Sequence, residues 1–396
     1  MTVRPLAGVT VVAVEQAVAA PFATRQLADL GARVVKIERP GGGDFARAYD
    51  RTVNGTSSVF LWLNRGKESL TLDLKSAEGH DVLERLLAEA DVFVQNLAPA
   101  AAHRAGLDTA AVQKRHANVI ACGLSGYGTG GPMRDAKAYD LLVQGETGMI
   151  SVNGSPDAMA KVGISIADIS AGMYAYSGIL AALVHRDRTG EALPVDVALF
   201  DSLSEWLAYP LYYAMYGGTT PPRMGTTHPT IAPYGAFPTA DGTPVLVAVQ
   251  NDREWRRLCE IVLGDPAVAD DPRFASNHDR VGNRSELDAL IGARFAALPT
   301  ADAQALLDKA GIAQSRLNDL ADLPTHPQLV ERDRWVDTDT PTGPARTLFP
   351  PGLPGGTGER PDLGSVPALG AHTDTVLARL GLTPDEIAAL RDRGVV

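Results

Sequence analysis

The feature that most constrains this chain is a near-continuous β-branched run, Gly8-Val9-Thr10-Val11-Val12-Ala13-Val14, set just ahead of a helical stretch and a second apolar run. A strand that is apolar at successive positions belongs to a parallel sheet covered on both faces. Residues 21–30 carry apolar side chains at helical spacing and end at Gly31, a residue suited to a left-handed stop. Arg33-Val34-Val35-Lys36-Ile37-Glu38 then supplies a second strand. Strand, helix and strand within roughly thirty residues make a βαβ unit with a right-handed crossover. The alternation continues, with strands predicted over 69–74, 91–95, 119–124 and 194–198 and a helix over 76–90. The fold class is therefore α/β with a parallel sheet, and a ligand belongs at the carboxyl ends of its strands.

Several functions are disfavoured at once. The turn after the first strand, Glu15 to Pro21, lacks the G-x-G-x-x-G of a dinucleotide site, and Gly41-Gly42-Gly43 follow the second strand instead. We therefore expect no nicotinamide or flavin. A net charge of −11 argues against binding nucleic acid or a membrane surface. The two cysteines, Cys122 and Cys259, make no disulfide framework, and no ligand spacing for a metal is present. Without an apolar leader or a membrane-length apolar run, the expected location is the cytoplasm.

The 396 residues suffice for two domains. A helix is predicted over 201–216, and the Gly/Pro-rich stretch 217–222 marks a domain boundary. A hairpin over 231–249 turns at Asp241-Gly242, and helices start near Asp252, Asn283 and Thr300. The Pro/Gly-rich residues 335–369 read as a long surface connection. Thr383-Pro384-Asp385-Glu386 is a capping box for a last helix.

Two stretches carry chemistry. Residues 169–185 have the spacing of a helix that is apolar or small nearly all round, and Asp168 stands where its N-cap belongs. There the helix dipole would lower its pKa and keep it ionised. Such a carboxylate is a structural cap or a nucleophile toward an activated acyl group, and this stretch alone leaves both open. Asp140 similarly reads as a cap for a helix from Leu141. The second stretch, 33–75, is locally basic: Arg33, Lys36, Arg39, Arg47, Arg51, Arg65, Lys67 and Lys75 gather near strand ends. That suits a ligand carrying several phosphates.

At this point the residues resemble a family. Leu6-Ala7-Gly8-Val9, the run over 27–41, Asn64-Arg65-Gly66-Lys67, Leu72-Asp73-Leu74-Lys75, Gly126-Tyr127-Gly128, Gly190, Val195-Asp196, Pro233-Tyr234-Gly235 and His326-Pro327-Gln328-Leu329 look like the class III coenzyme A transferases. The resemblance implies a Rossmann-like large domain built from both chain ends (1–216, with 331–396 returning to it) and a small α+β domain over 225–330. It also implies an interlocked homodimer. By position it carries coenzyme A contacts onto Val18, Ala19, Arg39, Leu72, Asp73, Leu74, Lys75, Asn96, Arg104, Lys137, Tyr139 and Asp140. Asp168 falls on the catalytic aspartate.

The activity so implied is exchange of CoA between an acyl-CoA and a free carboxylic acid through an aspartyl anhydride and an aspartyl-CoA thioester. Acyl-CoA is then a substrate and no metal is required. Backbone N–H groups at the start of the Asp168 helix would serve the oxyanions. Met224-Gly225-Thr226-Thr227-His228-Pro229 lacks the consecutive glycines of formyl-CoA transferase, which points away from oxalate and formate toward another acid, such as a dicarboxylate. The competing reading is an α-methylacyl-CoA racemase. Those enzymes carry a His before the Asp aligned with Asp140, where this chain has Tyr139, a poor proton exchanger.

Overall fold

The structure, a computed structural model, describes residues 4–353 and 360–396. Six strands form one parallel sheet: β1 (Thr10–Val14), β2 (Arg33–Glu38), β3 (Lys67–Thr71), β4 (Val92–Gln95), β5 (Ile120–Ser125) and β6 (Val195–Ala198). Their order is β3-β2-β1-β4-β5-β6, so the chain reverses direction across the sheet between β1 and β4. Loops at that switch point diverge and leave room for a ligand. β1 is buried along its length, as its unbroken apolar run requires.

β3 is shorter than the apolar pattern predicts. Beyond Thr71 the Leu72 N–H still reaches Glu38 O, but the Asp73 N–H bonds Val395 O at 2.7 Å. The Asp73 carboxylate then accepts the Lys75 N–H, and Ser76 Oγ caps the next helix. These local side-chain bonds turn the chain out of the sheet.

The helices that matter for the site are α1 (Ala19–Asp29), α2 (Ala77–Ala88), α3 (Asp140–Glu146) and α4 (Ile166–Thr189). α4 crosses α1 at Gly172, where a Cβ would lie 2.7 Å from the Ala19 carbonyl oxygen. Only glycine permits that approach. α4 is long and apolar enough to cross a membrane by length and composition, yet its Ala167, Ala171, Ala175, Ile179 and Leu183 are buried inside the fold. Arg186 in its last turn ties it to Asp91 ahead of β4, at 2.9 Å.

The chain divides into two compact units. The first comprises 4–149, 162–209 and 334–396, so both chain ends build it. Val12, Ile37, Leu70, Leu83 and Phe93 share a core there with Val376, Leu377, Ile387 and Leu390 of the last two helices. The last helix, Pro384–Asp392, begins with the expected capping box between Thr383 and Glu386.

The second unit comprises 150–161 and 210–333. Its sheet is antiparallel: β7 (Tyr234–Pro238), β8 (Pro244–Ala248) and β9 (Ala313–Arg316), in the order β9-β8-β7. Its core holds Phe237, Trp255, Phe274, Ile291, Phe295 and Leu307. The division falls after Tyr209, ahead of the Gly/Pro-rich stretch at 217–222, and 150–161 leave the first unit for the second.

Two other segments differ from expectation. The helix foreseen over 201–216 is two helices, Leu199–Trp206 and Ala208–Gly217. Pro210 has no N–H to bond Trp206, so the first helix cannot run on. The 335–369 connection carries a hairpin, Trp335–Thr338 against Ala345–Leu348, and residues 354–359 of it lie outside the described residues.

Candidate active site

The site is built on the turn after β1. Gln16 exchanges two hydrogen bonds with the side chain of Asn96, which follows β4: its N–H donates to Asn96 Oδ1 at 2.9 Å and its carbonyl accepts from Nδ2 at 2.8 Å. Asn96 therefore staples the two loops of the switch point. Ala17 adopts φ +63°, a left-handed conformation that costs a non-glycine residue about 1–3 kcal/mol. Its N–H donates to Asp44 Oδ1 at 3.1 Å. The chain then enters α1 with no side-chain cap, and no hydrogen bond is made by the N–H groups of Val18, Ala19 or Ala20 among the described residues. Three donors are thus gathered at the positive end of a helix dipole.

Asp168 faces that end. It lies four residues before Gly172, on the same face of α4, and Gly172 touches the Ala19 carbonyl. Its surroundings correct the expectation for it in two ways. The helix begins at Ile166 with Ser165 as N-cap, so Asp168 lies inside the first turn and caps nothing. The carboxylate that serves this turn is Asp140: its Oδ1 accepts the Ala167 N–H at 2.8 Å and the Asp168 N–H at 3.4 Å. Asp140 does not cap its own helix either, since Tyr139 is the N-cap of α3.

Gln144, fully buried, completes the arrangement. Its Nε2 donates to Asp140 Oδ2 at 2.6 Å and its Oε1 accepts the Val162 N–H. With the Ala167 and Asp168 N–H groups committed to Asp140, the Asp168 carboxylate accepts no hydrogen bond among the described residues. Burial, then the Asp140 carboxylate beside it, push its pKa up to about 7. The expected lowering by the helix dipole is overturned, and so is the expectation that this helix start serves as an oxyanion site.

The basic stretch is also corrected. Most of its cations are consumed internally: Arg33 by Glu68, Lys36 by Asp44, Arg47 by Glu38, Arg65 by Asp29 and Lys67 by Glu15, all at 2.7–2.9 Å. Arg39, Arg51 and Lys75 make no ion pair among the described residues and are exposed. Arg39 only reaches the Gly43 carbonyl.

The other predicted contacts separate by burial. Val18, Ala19 and Leu72 are buried. Asp73 and Leu74 belong to the turn after β3, half-buried. Lys137 and Tyr139 are exposed, on a segment that the loop at Gly126 admits, because any Cβ at Gly126 would collide with Ala138. Arg104 is exposed and lines a cavity of about 710 Å³ at the ends of β4, β5 and β6, together with Gln95, Leu97, Ser125, Arg134 and Asp196.

Sequence reasoning missed two residues of this region, Asp44 and Tyr49. Asp44 is buried and caps the short turn Phe45–Ala48, and that turn delivers Tyr49. The Tyr49 hydroxyl is half-exposed and within the electrostatic field of Asp44, Asp168 and Tyr139; burial and these charges raise its pKa and keep it a proton donor. A signal for Asp44 existed. A lysine in the β-branched run of β2 is forced into the interior, and a buried lysine needs a carboxylate. Among the described residues no His, Cys, Asp or Glu group gathers to hold a metal ion.

A parallel sheet of this order thus brings unpartnered N–H groups of α1 to its switch point, the place where α/β sheets bind ligands. Comparison with known proteins fixes the family. The pattern of CoA-transferase family III matches residues 6–373. The succinate–glutarate CoA-transferase of Agrobacterium fabrum is 36% identical over 388 residues, 95% of this chain and 96% of the relative. The succinyl-CoA:glutarate CoA-transferase of Mus musculus is 33% identical, covering 95% of this chain and 86% of the relative. The crystal structure of a CaiB/BaiF family protein from Brucella suis superimposes with a TM-score of 0.82 at 34% identity, covering 95% of this chain and 99% of that one. The chain belongs to CoA-transferase family III and is a CoA-transferase, an enzyme that transfers CoA between an acyl-CoA and an acid.

The Asp168 environment fixes a pH dependence. Because the folded value lies above the unfolded value near 4, the folded chain holds an extra proton between about pH 4 and 7. Stability contributed by this proton is present at low pH and lost as pH rises through 7. Asp168→Asn is therefore expected to melt higher than wild type above pH 7 and to show no such advantage near pH 4. The kcat/KM profile of wild type should carry an acid limb near pH 7, and Asp140→Asn should move it to lower pH. An acid limb near pH 4 in the wild type would contradict this environment.

Proposed function

We propose that Asp168 is the nucleophile of CoA transfer and that the acids exchanged are short dicarboxylates. The observation that carries the reading is the Asp168 carboxylate, raised by burial and by Asp140 and set on the α4 face that packs at Gly172 against Ala19, in the first turn of α1. A carboxylate oxygen attacks the thioester carbonyl, the C–S bond breaks, and CoA thiolate leaves an acyl-aspartyl anhydride. The thiolate attacks the aspartyl carbonyl, and the donor acid departs as a carboxylate. The acceptor carboxylate then displaces the thiolate from aspartyl-CoA, and the thiolate takes the acceptor's acyl group from the second anhydride. Asp168 is regenerated, and no step loses thioester energy to water. Each tetrahedral oxyanion can draw on the α1 donors.

The CoA moiety would run along the strand ends. Arg39, Lys75, Arg104 and Lys137 are exposed cations for its phosphates. The backbones at Val18, Ala19 and Leu72 to Leu74, with Asn96, Tyr139 and Asp140, would flank its pantetheine arm. Support for dicarboxylates comes from the relatives, two of which are named for succinate and glutarate. A homodimer, interlocked and cytoplasmic, is part of the same reading. Trp206, Tyr209, Tyr212, Met215 and Tyr216 are exposed along consecutive helices, more aromatic surface than a monomer ordinarily leaves in water.

Three measurements test these points. Wild type incubated with succinyl-CoA and then hydroxylamine should yield a hydroxamate at Asp168 by peptide mass, and Asp168→Asn should fold yet lose turnover by about 10³-fold or more. Incorporation of solvent deuterium at the α-carbon, with no carboxylate exchange across a panel of acids, would instead make the protein a racemase.

Arg39→Glu should weaken CoA binding by about tenfold or more, with a loss that shrinks at high salt. Unchanged affinity would remove Arg39 from the site. In sedimentation the protein should remain a dimer at nanomolar concentration; a stable folded monomer would end the interlocked arrangement.

A further inference from the structure

The buried Asp44 belongs to no step of the reaction just described, yet its side chain holds the turn that leads into α1. Its Oδ1 accepts the N–H of Ala17 at 3.1 Å and that of Ala46 at 2.9 Å. Its Oδ2 pairs with Lys36 Nζ at 2.8 Å, and its own N–H donates to Glu38 Oε1 at 2.9 Å. All four partners are within the fold, and Asp44 is 1% exposed. Ala17 is the residue held at φ +63°, and strain of that kind persists only where the surroundings over-determine it.

The consequence of that strain is geometric. With Gln16 tied to Asn96 and Ala17 tied to Asp44, the next three N–H groups are left pointing out of the helix start. Asp168 lies on the α4 face that touches this same helix turn. We propose that Asp44 is a positioning residue for CoA transfer: by fixing Ala17 in the left-handed conformation it aims the Val18 and Ala19 N–H groups at the carbonyl formed on Asp168. Lys36 holds the Asp44 carboxylate in place through their ion pair, and Glu38 fixes its backbone. The proposal rests on Asp168 being the nucleophile.

This role differs from structural support in what it predicts. Donors that matter only when an oxyanion forms contribute to the transition state, so their misplacement lowers kcat and kcat/KM together and leaves CoA affinity alone. Asp44→Ala should lower kcat roughly 10- to 100-fold, with the dissociation constant for CoA within about threefold of wild type. Glycine adopts positive φ at no steric cost, so adding Ala17→Gly to Asp44→Ala should recover a substantial part of kcat. A purely structural role for Asp44 would move the melting temperature and give no such rescue. Asp44→Asn keeps an oxygen for the Ala17 N–H and should lie nearer wild type; it serves as the main variant if Asp44→Ala fails to fold.

Wild-type kcat in Asp44→Ala, or a deficit that Ala17→Gly leaves untouched, would overturn the proposal while the hydroxylamine adduct at Asp168 persisted. Absence of that adduct in wild type would overturn the covalent reading itself, and so the two failures are told apart.

Discussion

The structure depends on a set of buried charges gathered around β1, β2 and the start of β3. Glu15, Glu38 and Asp44 face Lys36, Lys67 and Arg47, three of each sign. Burial alone would neutralise such groups, raising Glu15 and lowering Lys36. The facing charges outweigh it, so Glu15 titrates below and Lys36 above the usual range. Lys67 is the weak member: burial and the neighbouring Lys36 bring it down to about 8. Residual bonds are met by Thr24, Asn64, the Pro21 carbonyl and Ser69. Replacing the whole set by apolar groups can be neutral for stability, whereas removing one member costs about 3–5 kcal/mol. The set fixes where three loops begin, a specification that an apolar core would not provide.

Against this balanced set, the Asp168 corner is unbalanced. Two carboxylates lie close together, and the N–H groups that might stabilise both serve Asp140 alone. Each pKa unit by which Asp168 is raised represents about 1.4 kcal/mol of discomfort in its ionised form. Forming an anhydride or a thioester removes that charge. In the proposed reaction this environment would raise the energy of the Asp168 carboxylate and not of its covalent products, while the α1 donors would meet the negative charge where it moves next. The same chain buries carboxylates in two ways, compensated where position matters and uncompensated where reactivity does.

This contrast also explains what was legible in the sequence. The sheet was legible because β1 and β4 are nearly continuous apolar runs, and the βαβ connection admits one hand. Asp168 stood out as a candidate in the sequence, but its environment did not, because that environment is set by burial and then by Asp140, twenty-eight positions earlier, through tertiary contact. Likewise, Lys36 and Lys67 read as surface bases until their partners are known, and those partners come from Glu15 and Asp44 through tertiary contact. Local bonds misled in the other direction. The Asp73 and Ser76 side chains draw 72–76 out of a strand, and Pro210 divides a helix whose apolar content looks continuous.

The C-terminal segment is part of the site's support although it lies far from it in sequence. Ser69 Oγ donates to Glu38 Oε2 at 2.6 Å and accepts the Gly370 N–H at 2.9 Å. His372 pairs with the Ser69 backbone, and Thr373 bonds Thr71. β3 is the outer strand of the sheet, and this segment occupies the edge that it would otherwise expose. Glu38 is held well into its ionised form, down to about 2, chiefly by Arg47 and Lys36 against the opposing effect of burial. It in turn holds the Asp44 N–H. A continuous set of hydrogen bonds thus runs from Gly370 through Ser69, Glu38 and Asp44 to Ala17, so residues from both chain ends support the turn that leads into α1.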